Sequence, residues 1–157
     1  MHNVKEYNCR NNYLFKKLIN SEIVSIQVQD NVPIERDCVN IIFNNKMELF
    51  VYCFFRIIEK GRFVLGVSDF YYNESSRLSA NKFVEKLKGL TVERVIQKQT
   101  GDIDIYLNNK ICIQILIDVT KTDADFYDLV FENKYCEVCN FENKLITISG
   151  EHKDGVD

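Results

Sequence analysis

Alternating apolar and polar side chains on either side of a recurrent Asn-Lys corner organise most of this chain. Phe43-Asn44-Asn45-Lys46-Met47 returns as Leu107-Asn108-Asn109-Lys110-Ile111, then as Phe131-Glu132-Asn133-Lys134-Tyr135 and Phe141-Glu142-Asn143-Lys144-Leu145. Asn tolerates the left-handed backbone that a tight reversal needs, so each corner predicts a β-hairpin. The apolar pattern then sets the register. Ile103, Ile105 and Leu107 alternate with Asp102, Asp104 and Tyr106, and Ile111, Ile113 and Ile115 follow the turn. A two-residue loop would split the isoleucines between faces. A three-residue loop pairs Leu107 with Ile111, Ile105 with Ile113 and Ile103 with Ile115, which leaves one face wholly apolar. The same register pairs Phe43 with Met47, Ile41 with Leu49 and Val39 with Val51.

The remaining segments fall into place around these corners. Residues 1–10 carry no regular pattern and read as loosely structured. Leu14, Phe15, Leu18 and Ile19 recur at helical spacing, which predicts a short amphipathic helix over residues 11–19. A strand over 22–29 and a polar loop over 30–37, holding the single proline Pro33, precede the first hairpin at 38–57. Gly61 suits the next turn, and 63–70 reads as the returning strand. Asn73 to Ser79 is a polar link whose end caps a second helix carrying Phe83, Val84 and Leu87 and ending at Gly89. From Lys86 to Val95 the apolar placement repeats that of Lys17 to Ile26. The chain therefore reads as one α+β domain over 1–157, built mainly of antiparallel β meanders in two internal repeats, each preceded by a short helix and sharing one core. Repeat one covers about 11–72 and repeat two about 76–149, with three strands near 126–131, 135–140 and 145–149, and 150–157 as a flexible tail.

Composition narrows the function classes. The chain is 46% apolar and 27% charged with a net charge of -3, the balance of a soluble globular protein, and it lacks the clustered Lys and Arg that a nucleic acid would need. No stretch resembles a signal peptide or a membrane span, and six cysteines without an export signal suggest reduced thiols in a cytoplasm. Cys136-Glu137-Val138-Cys139 is the only C-x-x-C, and residues three apart on a strand point to opposite faces, which argues against a metal site. The two histidines, His2 and His152, lie in the terminal segments, so no base is placed beside a nucleophile. The expectation is a protein without catalytic residues, cofactor or metal.

Two groups of side chains stand out as contact candidates. Asp102 and Asp104 share the face opposite the isoleucines, and Asp118, Asp123, Asp125 and Asp128 follow closely. A solvated strand face and an acidic loop account for them simply; the functional reading is an electronegative patch that docks a basic protein partner. Phe50, Tyr52 and Phe54 alternate with Leu49, Val51 and Cys53, so this strand is apolar on both sides. Its second side is covered within the fold or forms an interface, including one with a second copy in a homodimer.

Leu87-x-Gly89-x-x-Val92-x-x-Val95, the run Gly101 to Lys110, the run Asp125 to Lys134, and Tyr52 to Ile58 with Gly66 to Asp69 together resemble an uncharacterised bacterial family of small duplicated β-rich domains. The likeness spans most of residues 17–149 and rests on turn and core positions. Phe54, Tyr127 and Asn residues stand where that group is expected to carry Trp or Gly, and this chain has no Trp. Proteins of this build resemble the immunity partners of bacterial polymorphic toxins. The resemblance implies a cytoplasmic, non-enzymatic protein-binding module that neutralises a toxin domain, and it carries over no catalytic residue. The alternative is a small-ligand-binding domain with a cleft between the repeats lined by Tyr52, Tyr71 and Tyr106.

Overall fold

The computed structural model describes residues 3–6, 13–28, 39–98, 100–117, 124–131, 134–141 and 144–151. Strands β1 (Asn3–Glu6), β2 (Ile23–Val28), β3 (Val39–Phe43), β4 (Met47–Val51), β10 (Ala124–Phe131), β11 (Lys134–Phe141) and β12 (Lys144–Glu151) form one sheet in the order β1-β12-β11-β10-β4-β3-β2. Strands β5 (Phe54–Glu59), β6 (Arg62–Gly66), β7 (Val92–Gln97), β8 (Ile103–Leu107) and β9 (Ile111–Leu116) form a second, in the order β6-β5-β9-β8-β7. Every pairing is antiparallel. Helix α1 (Tyr13–Lys16) precedes β2, and helix α2 (Glu74–Glu85) precedes β7.

Both predicted registers are present. Val39 faces Val51 and Ile41 faces Leu49; Ile103 faces Ile115, Ile105 faces Ile113 and Leu107 faces Ile111. The later corners close over two residues instead, with Phe131 opposite Lys134 and Phe141 opposite Lys144. The first Asn of each early corner serves the fold through both its backbone and its side chain, the N–H groups of Asn44 and Asn108 donating to the carbonyls of Glu22 and Thr91 at 2.9 and 3.0 Å. Asn44 Oδ1 accepts from the Glu22 N–H at 3.0 Å, and Asn108 Oδ1 accepts from the Thr91 N–H at 3.1 Å, so each amide pins the start of a neighbouring strand. The left-handed backbone falls later, at Lys46 (φ 67°) in one corner and at Asn109 and Lys110 (φ 63° and 58°) in the other.

The chain does not stay within one sheet per half. The expected hairpin over 38–57 breaks at Tyr52-Cys53. From there β5 crosses to pair with β9, Phe55 facing Ile115 and Ile57 facing Ile113. Reciprocally, β10 crosses back to pair with β4, Tyr127 facing Val51 and Leu129 facing Leu49. Leu49, Val51, Cys53, Phe55 and Ile57 are all buried. The alternation thus runs unbroken through the crossing, because the same side of the chain faces the shared interior on both sheets. One hydrophobic core draws on both, with Phe15 edge-on to Tyr127 at 5.8 Å and Phe55 near Phe70. Tyr127, buried in that core, donates its hydroxyl proton to the Gly101 carbonyl at 2.8 Å.

The two sheets are also joined at one edge. The N–H groups of Asn20 and Gly89 donate to the carbonyls of Val92 and Ile23, both at 2.8 Å, and those of Val92 and Ile23 return bonds to Ser21 and Leu90. Glu22 and Thr91 face each other at the centre. The backbone enters this junction in the left-handed region on both sides, at Asn20 (φ 70°) and Gly89 (φ 80°).

Several local expectations need correction. Asn3–Glu6 is an ordered strand that pairs with β12, a contact across nearly the whole chain that no local pattern encodes. Strand β6 stops at Gly66, where the Asp69 carboxylate accepts the Gly66 N–H at 2.8 Å and turns Val67–Phe70 into a 3-10 segment. The cap of α2 is Asn73, at the beginning of the polar link and not its end; Asn73 Oδ1 accepts from Ser76 N–H at 2.7 Å. The predicted 30–37 loop and the tail beyond Glu151 lie outside the described residues.

Two outcomes are expected. Gly89→Ala meets no atom within 4 Å, so only its positive φ opposes the substitution; it should destabilise by about 1 kcal/mol, whereas Asn20→Gly should be neutral or stabilising in chemical denaturation. A protease site inserted after Tyr72, which is 81% exposed, should yield halves that co-elute and unfold in one transition, because each half supplies a strand to the other's sheet. Two separately folded fragments would contradict the exchanged topology.

Candidate functional site

The outer face of the five-stranded sheet brings together a set of polar, cationic and aromatic side chains. Cross-strand register lays them in rows. Arg94, Tyr106, Cys112, Ile58 and Phe63 are successive neighbours across β7, β8, β9, β5 and β6. Beside them run Ile96, Asp104, Gln114 and Arg56. A concavity of about 930 Å³ opens here, lined by Tyr106, Cys112, Gln114 and Ile58 on the strands and by Lys60 and Lys110 on the turns at one end. A bond from the Lys60 N–H to the Lys110 carbonyl at 2.9 Å ties those two turns together.

The electrostatics are mostly cationic. The Arg94 guanidinium lies over the Tyr106 ring at 4.3 Å, where the ring's negative face attracts it. Arg56 donates through Nε to Gln114 Oε1 at 2.7 Å, which fixes the guanidinium without neutralising it. Among the described residues, Arg56, Lys60, Arg94 and Lys110 make no ion pair. Glu93 is the carboxylate that also lines the concavity.

Asp104 is set apart from this group by burial. It is 4% exposed and held by Lys98 Nζ at 3.2 Å, with its other oxygen lacking a hydrogen-bond partner. Asn40, also buried, has an unpartnered Oδ1 of its own in β3. Next to Asp104, burial and, after it, the Asp104 charge push the Cys112 thiol up to about 11 against the pull of Lys98 and Arg94. A thiol held protonated at neutral pH is a poor nucleophile.

The contact residues expected from sequence scatter. Asp102 accepts the Ile117 N–H at 2.9 Å and shapes the end of the β8–β9 ladder, while Asp104 is withdrawn from solvent as described. Asp102 stays half-buried, so of these two carboxylates only Asp104 is removed from the surface. Asp118 and Asp123 lie outside the described residues. For Asp125 and Asp128 the structure describes the backbone only: both sit in β10, with Asp128 opposite Phe50. Phe50, Tyr52 and Phe54 do not share a face, because the chain changes sheets between them. Phe50 belongs to the larger sheet beside Asn40, Phe54 to the smaller beside Leu116, and all three are half-buried. The concavity takes its lining from both halves, Ile58, Lys60 and Gly61 from the first and Glu93 to Gln114 from the second, and of Tyr52, Tyr71 and Tyr106 only Tyr106 lines it. Cys136 and Cys139 lie in β11 with side chains outside the description; Cys53 and Cys112 are buried, reduced thiols. No group of His, Cys, Asp and Glu among the described residues is arranged to hold a metal ion, and no described helix is long and apolar enough to cross a membrane.

Sequence reasoning missed the cationic set. Its members are spread from Arg56 to Lys110, and no linear spacing joins them. The register that was read correctly would have placed Tyr106 opposite Cys112, but Arg56 and Ile58 reach this face only through the strand crossing.

Comparison of the chain with protein-family models, with curated proteins and with solved structures returned no match.

Cys112 provides a probe of the face's electrostatics. Its alkylation by iodoacetamide, followed by peptide mass spectrometry, should rise with pH towards a midpoint near 11. Asp104→Asn should lower that midpoint by removing a negative charge, and Lys98→Met should raise it. A midpoint indifferent to both would contradict the placement of the pair.

Proposed function

We propose that this protein is a non-enzymatic, cytoplasmic protein-binding module, an immunity-type partner that blocks a toxin domain, and that its contact face is the outer side of the five-stranded sheet. The observation carrying this reading is the continuous row from Arg94 through Tyr106, Cys112 and Ile58 to Phe63, the last of them 60% exposed. Aromatic and apolar groups bordered by arginine are the composition of protein interfaces, where such residues supply anchors and the charged rim supplies orientation. The raised Cys112 thiol and the salt-bridged Asp104 fit a binding surface better than a reactive one. The same reading takes the chain as an internal duplication. Asn20, Ser21, Glu22 and Ile23 correspond to Gly89, Leu90, Thr91 and Val92 in the junction, and Asn44 corresponds to Asn108, each pair making matching bonds. Both copies then contribute to the cationic outer face, Arg56 and Lys60 from the first and Arg94 and Lys110 from the second.

A photo-crosslinking amino acid placed at Phe63 in the source cells should capture one protein, and the same residue at the exposed Leu78 of α2 should not. The purified pair should associate, and co-expression should relieve any growth arrest the captured protein causes. Equal labelling from both positions would count against this face.

A further inference from the structure

The chemistry of the partner follows from the charges left uncompensated on this face, an inference that rests on the reading just given. We propose that the outer side of the five-stranded sheet receives an acidic protein surface, with carboxylates meeting Arg56, Lys60, Arg94 and Lys110 and an apolar anchor seated against Ile58 and Phe63. Four cations border one concavity and its adjoining row against the single lining carboxylate Glu93, and no described carboxylate forms an ion pair with them. The chain as a whole carries a net charge of -3, so this is a local reversal of sign. Such a reversal steers complementary partners and rejects like-charged ones.

Arg94 and Arg56 are held ready for this role. Stacking on Tyr106 fixes one guanidinium plane, and the bond to Gln114 Oε1 fixes the other through Nε, which leaves the remaining N–H donors of Arg56 for an incoming carboxylate. The aromatic rings favour a protein over a single-stranded nucleic acid. The Tyr106 face is already covered by Arg94. The Phe63 ring touches Gly66 by its edge, Cζ lying 3.1 Å from where a β-carbon would stand, and stays 60% exposed, which leaves Phe63 alone for a base to stack on, short of the successive platforms a single strand uses. Gly66 thus leaves room for the edge of the Phe63 ring.

The test is an amide NMR titration of the full chain with three probes: a peptide alternating Glu with Leu and Phe, the same peptide with Lys for Glu, and a single-stranded oligonucleotide. The acidic peptide alone should shift the amides of Arg56, Tyr106, Arg94 and Lys110, and its affinity should fall as salt rises. The double variant Arg94→Glu with Lys110→Glu, both exposed and so compatible with folding, should weaken that binding about tenfold or more. Equal binding of the Lys peptide, tighter binding of the oligonucleotide, no shift of these amides, or indifference to the double variant would each overturn the proposal. Continued crosslinking from Phe63 in the double variant would reject the acidic partner while leaving the face itself standing; loss of position-specific crosslinking in the wild type would reject the face.

Discussion

Four backbone hydrogen bonds between residues 20–23 and 89–92 hold the two sheets edge to edge, and the arrangement of everything else depends on them. Backbone donors and acceptors at a sheet edge must find partners or water. Here the first residues of β2 and β7 satisfy each other, which fixes how the sheets meet before any side chain is considered. Asn44 and Asn108 complete the junction by accepting the N–H groups of Glu22 and Thr91 at its centre. The positive φ at Asn20 and Gly89 lets the chain leave each helix and enter the junction within a few residues.

Exchange of strands takes place at the other end of the same strands, where Val51 lines up with Val39 and Val28, and Ile115 with Ile103 and Gln97. Each half thereby covers the other, and the core becomes common property: Phe55 lies between β9 and the 3-10 segment, while Tyr127 sits against Phe15. This removes the problem that a short helix and a few strands cannot bury enough apolar surface alone. It also brings Arg56 and Ile58 beside Gln114 and Cys112, which builds the cationic face out of both halves.

How far these features were legible differs by residue. Hairpin register was readable because one apolar face allows only one pairing, and Ile41 opposite Leu49 or Ile105 opposite Ile113 obeys that rule. The crossing at Tyr52-Cys53 was not readable, since Leu49 to Ile57 keeps its alternation whether the strand continues or changes sheets. The burial of Asp104 was not readable for a related reason. Alternation put Asp104 on the outer face correctly, but outer is not the same as exposed, and Lys98 with its neighbours buries it.

Sequence alone determined which side of β3, β4, β8 and β9 faces inward, where those hairpins reverse, and that the interior is apolar, because those properties depend on neighbours one or two residues away. Tertiary structure decided which strands become partners, which charges are paired, and where unpaired cations collect. These are contacts between residues far apart in the chain, and their energies depend on burial and distance, which no local pattern carries.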